Sequence, residues 1–357
     1  MKKNACRKTR VQTKKGRPNS RRRPAPQQWM DWRWQFRSRI RTADELTKPL
    51  GLRRGERRAL GEVTRACRAA ATPYYFSLIR AGDPLDPIRL QCIPDSREIA
   101  SPVGLDDPLE EQAHSPVPGL IHRFRDRCLV LATNRCAVYC RHCNRRRLWR
   151  EPERMLGSRG LEAVAGYIER RPALREVILS GGDPLTLSDG RLERILARLH
   201  AIGHVEVMRI GSRMPVVLPM RITEGLCGLL RRYRPLWLLT QFNHPREITA
   251  EAAGACERLL EAGIPVLNQS VLLKGVNDDY RTMRELLYGL ERIGVKPYYL
   301  FQCEEVRGTA HFRVDVHDGM RLMEKLWKTT SGICLPRYVA DRPGTKGKVP
   351  LQPVSLL

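Results

Sequence analysis

Three closely spaced cysteines are the residues of this chain with the clearest capacity for chemistry. Cys136, Cys140 and Cys143 have a C-x3-C-x2-C spacing. Thiolates so close together on one loop can bind three irons of a [4Fe–4S] cube, which prefers four thiolates, so one iron is left open to another ligand. The spacing therefore predicts an iron–sulfur cluster with one free coordination site.

A structural zinc site is the alternative use for such cysteines. Zinc sites commonly take their ligands from two Cys/His pairs that lie some distance apart, and this sequence has no second C-x2-C pair. His142 lies between two of the cysteines, where it is sterically awkward as a fourth ligand. The motif therefore favours an iron–sulfur cluster over zinc.

Length and composition are those of a globular protein. The 357 residues, 42% of them hydrophobic, suffice for one large α/β domain with additions. No apolar segment of a secretion signal follows the basic N-terminus, and no apolar run has the length of a membrane span. We therefore expect a cytoplasmic protein without membrane contact, whose thiols are free or bound to metal.

The net charge of +26 raises the question of a nucleic-acid partner. Residues 1–42 contain 15 Lys and Arg but a single acid, Asp31, so about half of the excess charge lies there. Hydrophobic residues are scarce in residues 1–28. This composition favours a disordered, solvated tail over a nucleic-acid-binding element.

Apolar runs typical of strands alternate with amphipathic runs from about residue 127. The predicted strands are 128–133, 176–179, 205–210, 236–241, 266–273 and 296–302, and the predicted helices are near 159–171, 189–201, 222–233, 247–262 and 279–292. Six such units predict parallel βα structure, either an open doubly wound sheet or a partial barrel. In both, chemistry gathers at the carboxyl ends of the strands.

Several polar motifs fall at this predicted edge. The first strand leads into the three cysteines, and the second leads into Gly181, Gly182 and Asp183. Two glycines allow a ligand to approach the backbone closely, and bare N–H groups can bind a carboxylate. Arg145, two residues after Cys143, can hold a carboxylate through two hydrogen bonds.

A lysine among glycines near the C-terminus can form a Schiff base with pyridoxal phosphate (PLP). Lys348 and Lys346 are the two candidates in this stretch. On chemistry alone the signal is weak, because Gly/Lys-rich segments near a terminus are usually loose.

Taken together, these motifs resemble the lysine 2,3-aminomutase family of radical S-adenosylmethionine (SAM), PLP-dependent enzymes. The resemblance covers residues from about 32 to 350 and includes, besides the motifs above, residues 73–75, 115–123, 209–213, 242–245, 268–273, 275–278, 297–299 and 311–313. It implies a partial (β/α)6 radical-SAM-type barrel at 116–303. A mainly helical region at 29–115 would precede the barrel, and a PLP-lysine segment at 304–357 would complete the site.

The resemblance also implies three cofactors, namely a [4Fe–4S] cluster, SAM and PLP, and assigns roles to particular residues. The residues assigned to the cofactors are Cys136, Cys140 and Cys143 for the cluster; Gly181, Gly182, Asp183 and Gln269 for SAM; Lys348 for the Schiff base; and Arg123 and Arg127 near the PLP phosphate. Arg145 would bind the α-carboxylate of the substrate. Glu304 and Asp341 would hold its distal ammonium group.

The two acids bear on the substrate. Carboxylates that face one buried pocket repel each other unless a cation lies between them, so their presence favours a basic amino acid over glutamate. The family usually has Asp at position 304, and Glu304 is one methylene longer. This difference could shorten the pocket, which leaves arginine open beside lysine.

Other positions depart from the family pattern. Gln241 replaces a usual His, and Phe301 stands where Tyr is frequent. Asp279 occupies the first cysteine position of a zinc site that some members carry, so we expect no zinc there.

The resemblance implies that a reduced cluster cleaves SAM to a 5′-deoxyadenosyl radical, which removes a hydrogen from the β-carbon of L-lysine. The amino group then migrates from C2 to C3 to give β-lysine. The expected partners are the amino acid, an electron donor such as flavodoxin or ferredoxin, and further copies of the chain. The alternatives are an arginine mutase, an enzyme that supplies β-lysine for modification of elongation factor P, a radical SAM enzyme acting on RNA, and an inactive family member.

Overall fold

Nine strands form one sheet in the part of the chain that the structure describes. The structure, a computed structural model, describes residues 25–47, 49–342, 344 and 347–351. The strands follow chain order across the sheet: β1 (Leu120–Phe124), β2 (Arg127–Thr133), β3 (Glu176–Gly181), β4 (Val207–Gly211), β5 (Leu236–Thr240), β6 (Val266–Leu272), β7 (Lys296–Gln302), β8 (Arg337–Asp341) and β9 (Lys348–Pro350).

The pairing is parallel from β2 to β8 and antiparallel at both edges, where β1 joins β2 and β9 joins β8. The six predicted strands are β2 to β7, so the predicted α/β architecture of a partial barrel is confirmed. β1, β8 and β9 were not predicted. β1 and β9 are the edge strands and β8 lies between β7 and β9; all three are short, and their strand conformation depends on the partners beside them.

Helices cover the outer face of the sheet. They are α8 (Ser158–Glu169), α9 (Asp189–His200), α10 (Met214–Val217), α11 (Glu224–Arg231), α12 (Ala250–Glu261), α13 (Tyr280–Arg292) and α14 (Val316–Thr329), with 3-10 turns at Arg146–Arg150, Pro184–Thr186, Pro219–Arg221, Pro245–Glu247, Ala310–Phe312 and Gly332–Cys334. α13 shows the general pattern, since Met283, Leu286, Leu287 and Leu290 recur at helical spacing and are all buried.

Asp279 has a local structural role. Its side chain accepts a hydrogen bond of 3.0 Å from the backbone N–H of Thr282 and so caps the N-terminus of α13. The absence of zinc at this position stays a prediction.

In the described part of the chain, seven helices, most of them short, precede the barrel. They are α1 (Pro26–Met30), α2 (Trp32–Arg37), α3 (Ala43–Thr47), α4 (Arg54–Ala66), α5 (Pro73–Ser77), α6 (Pro87–Cys92) and α7 (Arg97–Ala100). Residues 1–24 of the predicted basic tail lie outside the described residues, and residues 26–28 belong to α1.

Buried polar contacts join the helical region to the barrel. The hydroxyl of Tyr75 on α5 donates to Glu247 at 2.5 Å, and the hydroxyl of Thr72 donates to the carbonyl of Val217 at 2.6 Å. These contacts place α5 and α6 against the loops at the carboxyl edge of the sheet. In the described residues, no helix is long and apolar enough to cross a bilayer.

Candidate active site

One cavity of about 480 Å³ lies at the carboxyl edge of the parallel strands. Its wall contains the loop after β2, the turns after β3 and β4, the inner faces of β6 and β7, and the β8–β9 edge. All thirteen residues selected from the sequence line it: Arg123, Arg127, Cys136, Cys140, Cys143, Arg145, Gly181, Gly182, Asp183, Gln269, Glu304, Asp341 and Lys348. The fold thus brings the whole predicted set together.

The three cysteines lie on the loop that leaves β2. The loop is tightened by a hydrogen bond of 2.9 Å from the N–H of Cys143 to the carbonyl of Cys140. Burial raises the pKa of Cys136 well above its ordinary value, and burial together with the neighbouring Cys140 raises the pKa of Cys143 to about 11. Without a cation these thiols stay protonated; positively charged iron ions would favour their thiolates.

The donor set fits a cluster better than a single ion. In the described part of the chain, no three His, Cys, Asp or Glu side chains are grouped closely enough to bind one metal ion. A cube needs only one thiolate per iron, so more widely separated sulfurs suit it. His142 is occupied elsewhere, because its Nε2 lies 3.2 Å from Oε1 of Gln241 and burial lowers its pKa to about 3.

The two glycines after β3 allow a close approach within the chain itself. Gly181 has φ of +125°, and a Cβ atom there would lie 2.2 Å from the carbonyl oxygen of Thr133. The N–H groups of Gly182 and Asp183 donate to the carbonyls of Thr133 and Arg135 at 2.6 and 2.8 Å, so these two groups already have partners. The glycines let the start of the cysteine loop cross the turn at close range. The approach of a ligand to this turn stays a prediction.

Asp183 ties the ends of β3 and β4 together. Its carboxylate accepts hydrogen bonds from the hydroxyl of Ser212 and the N–H of Arg213, both at 2.8 Å. Burial raises its pKa to about 6. The contacts of Gly181, Gly182, Asp183 and Gln269 with SAM stay predictions.

Lys348 lies opposite Asp341 in the antiparallel β8–β9 pair, with Nζ 3.8 Å from its carboxylate. The rings of Phe124, Tyr299 and Phe301 lie 5.5–5.6 Å from Nζ. Burial lowers the pKa of Lys348, which increases the fraction of the nucleophilic neutral amine. A reactive lysine among aromatic rings fits the pyridine ring of PLP.

Positive charge surrounds this end of the cavity. Arg123 donates to Asp341 at 3.3 Å, and the guanidinium of Arg127 stacks on Phe124 at 3.9 Å. Arg209, an ion-pair partner of Glu176, also lines the cavity and was not selected from the sequence as a site residue. The sequence feature that could have identified Arg209 is its place in β4, where it is the single charged residue of an otherwise apolar strand. The three cations fit a phosphate group.

Arg145 is held by a carboxylate that the sequence analysis missed. Its Nε and Nη2 donate to Glu111 at 2.7–3.0 Å, while Nη1 lies 3.4 Å from the hydroxyl of Ser180. Arg147 donates to the same carboxylate at 2.8 Å. Burial alone would raise the pKa of Glu111. The guanidinium groups of Arg145 and Arg147 outweigh burial and hold this pKa below its ordinary value. Glu111 therefore fixes one edge of Arg145 and leaves Nη1 toward the cavity.

Replacing Glu111 by glutamine is expected to raise KM for the substrate by about tenfold, because an unpaired Arg145 loses its fixed orientation and charged hydrogen bonds are worth about 1.5–3 kcal/mol. Steady-state kinetics against substrate concentration measure this effect. Asp107→Asn is the matched control, since Asp107 lies 3.5 Å from Arg147, whereas the ion-pair partner of Arg145 is Glu111. An unchanged KM in Glu111→Gln would contradict the positioning role.

The two acids of the predicted ammonium site differ in their partners. Asp341 is paired with Arg123 and Lys348. Glu304 accepts one hydrogen bond of 3.3 Å from Asn144, and its buried Oε2 has no hydrogen-bond partner among the described residues. Burial, and then the negative charge of Asp341, raise the pKa of Glu304 to about 8. Asp341 is thus neutralised by two cations of the protein itself. Oε2 of Glu304 faces no such partner among the described residues.

The two other departures from the family pattern also lie at the cavity. Gln241 contacts His142 through its side chain and accepts from Arg213 through its carbonyl at 3.0 Å. Phe301 faces Lys348 at 5.6 Å with a ring that has no hydroxyl to donate. Lys346, the second lysine candidate, lies outside the described residues.

Comparisons with known proteins show which family this chain resembles. Residues 130–287 match the family model of the radical SAM superfamily. The chain is 48% identical over 326 residues to L-lysine 2,3-aminomutase of Clostridium subterminale, which covers 91% of this chain and 78% of that enzyme. Identity to L-lysine 2,3-aminomutase of Acetoanaerobium sticklandii is also 48%, over 91% and 79% of the two chains. Identity to glutamate 2,3-aminomutase of Clostridioides difficile is 42%, over 92% and 78%.

Proposed function

Since this chain belongs to the lysine 2,3-aminomutase family of the radical SAM superfamily, we propose that it moves the α-amino group of L-lysine to the β-carbon and produces β-lysine. It is an isomerase that uses a [4Fe–4S] cluster, SAM and PLP, as the family does. The family and the radical-SAM-type fold predicted from the sequence are confirmed.

The buried carboxylate of Glu304 carries the choice of substrate. Relatives named for lysine and for glutamate are both similar to this chain, so identity alone separates them poorly. The distal carboxylate of glutamate would add a negative charge beside Glu304 and Asp341, whereas the ammonium group of lysine would supply the partner that Oε2 of Glu304 lacks. This contrast supports a basic substrate.

The chain's own residues would bind and orient the substrate. Arg145 would hold the α-carboxylate, with Glu304 and Asp341 at the distal ammonium group. Lys348 would hold or release a proton at Nζ and provide the attachment point for PLP. When bound, the three cofactors supply an electron, a hydrogen-abstracting radical and a ring that delocalises an unpaired electron. The protein contributes fixed geometry and a cavity that excludes water.

The test is an anaerobic assay of the protein reconstituted with iron, sulfide and PLP, with SAM and dithionite added. L-Lysine, L-arginine and L-glutamate are supplied in parallel. Each β-amino acid has the same mass as its substrate, so the two are separated by chromatography after derivatisation and then identified by mass spectrometry. We expect β-lysine from lysine and no β-glutamate. Cys140→Ala is the control, because it removes one predicted cluster ligand.

Each other outcome points to a different error. Turnover of arginine alone would support the arginine alternative that the length of Glu304 leaves open. SAM cleavage without turnover of any amino acid would still support the radical chemistry but would contradict the substrate assignment. Absence of both SAM cleavage and turnover in a protein that carries its cluster would contradict the proposed function.

We also propose particular partners for this enzyme. We propose that flavodoxin or ferredoxin supplies the electron and that copies of the chain associate through the N-terminal helical region. Supply of β-lysine for elongation factor P is a pathway that the same reaction would serve. The basic segment that motivated an RNA substrate lies largely outside the described residues, and the cytoplasmic location stays a prediction.

A further inference from the structure

Arg213 is a buried cation that contacts a predicted cluster ligand and that the function proposed above does not use. It follows β4 and the turn at Ser212, and 8% of its side chain is exposed. Its Nη1 lies 2.9 Å from Sγ of Cys140, which is hydrogen-bond distance to sulfur. Because the guanidinium is charged at all ordinary pH values, this contact is charge-assisted.

Four further groups fix the guanidinium in this orientation. Nε donates to the carbonyl of Gln241 at 3.0 Å, and Nη2 donates to Glu247 at 2.7 Å and to Oε1 of Gln91 at 2.5 Å. The hydroxyl of Tyr75 lies 3.2 Å from Nη2. Tyr75 and Gln91 come from the N-terminal helical region, so elements distant in sequence meet at one side chain.

Glu247 is itself held in place on the far side of the guanidinium. It is fully buried, and its Oε2 accepts from the N–H groups of Asn243 and His244 at 2.6 and 3.0 Å. The sequence motifs at 73–75 and 242–245 thus converge on the pair formed by Arg213 and Glu247. Since Nη1 points to Cys140 and Nη2 to Glu247, the positive end of this pair faces the sulfur.

A cation at a ligand sulfur acts on the reduction potential of an iron–sulfur cluster. Hydrogen bonds to the sulfurs and nearby charge are known levers on that potential. The reduced cluster carries one electron more than the oxidised one, so a neighbouring positive charge stabilises the reduced form. In a buried site this electrostatic effect is screened weakly.

We propose that Arg213 is a positioning residue that fixes Cys140 and raises the reduction potential of the cluster, with Glu247 limiting the size of that effect. The inference rests on the proposed function only in requiring a cluster on the three cysteines. It predicts opposite effects for two neighbours in one network. Loss of the cation disfavours reduction, and loss of the counter-charge favours it.

The experiment is a redox titration of the reconstituted holoenzyme without SAM, followed by the electron paramagnetic resonance signal of the reduced cluster. For Arg213→Gln we expect the ratio of reduced to oxidised cluster at a fixed potential to fall about tenfold, equivalent to about 59 mV for one electron. For Glu247→Gln we expect the ratio to rise. Arg213→Lys keeps the charge without the planar donor set and should lie between wild type and Arg213→Gln.

Arg221→Gln is the matched control for removal of a buried guanidinium. The Arg221 side chain is fully buried and donates to the carbonyls of Leu185 and Leu187 and to Asp189; among the described residues it has no hydrogen bond to a cysteine. We expect its cluster to titrate as in the wild type. Iron and sulfide content and a thermal unfolding curve are recorded for every variant.

The outcomes separate the inference from the proposed function. A wild-type protein that binds no cluster overturns the proposed function and this inference with it. A wild-type cluster whose potential is unchanged in Arg213→Gln, or shifts in the same direction in Arg213→Gln and Glu247→Gln, overturns the inference alone. If Arg213→Gln fails to fold, Arg213→Lys and Glu247→Gln decide: unchanged potentials in both overturn the inference, and opposite shifts support it.

Discussion

Replacing Lys348 by alanine is expected to abolish formation of β-lysine while the cluster remains in place. Loss of a residue that bonds covalently to a cofactor or substrate lowers turnover by about a thousandfold or more. Lys348 is suited to this bond because burial lowers its pKa and three aromatic rings surround its amine. The same anaerobic assay measures the loss.

The fold should survive this substitution. β9 has three residues and joins β8 by backbone pairing, which alanine preserves. Asp341 keeps Arg123 as its partner when the lysine is removed. Iron content equal to that of the wild type, together with SAM cleavage by dithionite, would show that only the PLP step is lost.

Lys346→Ala is the matched control, because the sequence offered both lysines for the same role. Borohydride reduction of the PLP-loaded wild type, followed by digestion and mass spectrometry, identifies the lysine that carries the cofactor. We expect the label on Lys348 and full activity in Lys346→Ala. A label on Lys346 would show that the assignment of Lys348 is wrong.

The central sheet was predictable because most of its strands are short runs rich in apolar residues. Leu236–Thr240 is such a run, too short for a helix, and the predicted boundaries of β2 to β7 differ from the structure by at most two residues. β8 and β9 are harder to recognise because they are short. Of their three cross-strand pairs, one joins Asp341 to Lys348, two charged residues whose strand conformation comes from pairing.

The residues that hold the site were harder to find than the residues that line it. Glu111 lies in an irregular segment without periodicity, 34 positions before its partner Arg145. Tyr75 and Gln91 reach Arg213 from more than 120 positions away. One sequence shows that such residues are polar, but only tertiary packing shows which charge each one meets.

The glycines at 181 and 182 correctly indicated a close approach to the backbone, and the structure shows one group that makes it. A pair of glycines at a strand end indicates a close approach to the backbone. The approaching group is the chain's own cysteine loop, since Cβ atoms there would lie 2.2 and 2.4 Å from the carbonyls of Thr133 and Arg135. A pair of glycines in a sequence indicates that something approaches the backbone, but it does not show whether that is a ligand or a second backbone segment.

Replacing Glu304 by glutamine is expected to lower kcat/KM for lysine at least about 100-fold at pH 8. Removing one partner of a buried ion pair costs about 3–5 kcal/mol, because the other charge is left uncompensated. The rise in KM should account for most of the loss, since the ammonium group is distant from the migrating amine. Initial rates at varied lysine concentration measure both constants.

The pH dependence tests the same carboxylate in the wild type. With its pKa raised to about 8 by burial and by Asp341, Glu304 is mostly protonated at pH 7 in the free enzyme. The ammonium group of lysine favours the ionised form, so binding releases a proton below pH 8. KM should therefore fall by up to about tenfold per pH unit as pH rises from 6.5 to 8 and then level off. Glu304→Gln should lack this dependence.

Glu305→Gln is the matched control, because Glu305 is the next residue and its exposed side chain pairs with Arg313. It should keep both the KM and its pH profile. The free energy of unfolding should change with pH in the opposite direction from substrate binding. A carboxyl whose pKa is raised on folding makes the folded state less stable as pH rises from about 4.3 toward 8. Glu304→Gln should therefore unfold no more readily than wild type at pH 8, which separates lost binding from lost structure.

Glu304→Asp distinguishes charge from length. Aspartate keeps the ionisable group and withdraws it by one methylene, so the pH dependence of KM should persist. Because the shorter side chain leaves more room at the distal end of the cavity, the ratio of kcat/KM for arginine to that for lysine should rise. A ratio that stays constant, measured with both amino acids in one reaction, would show that the length of Glu304 does not set the reach of the pocket.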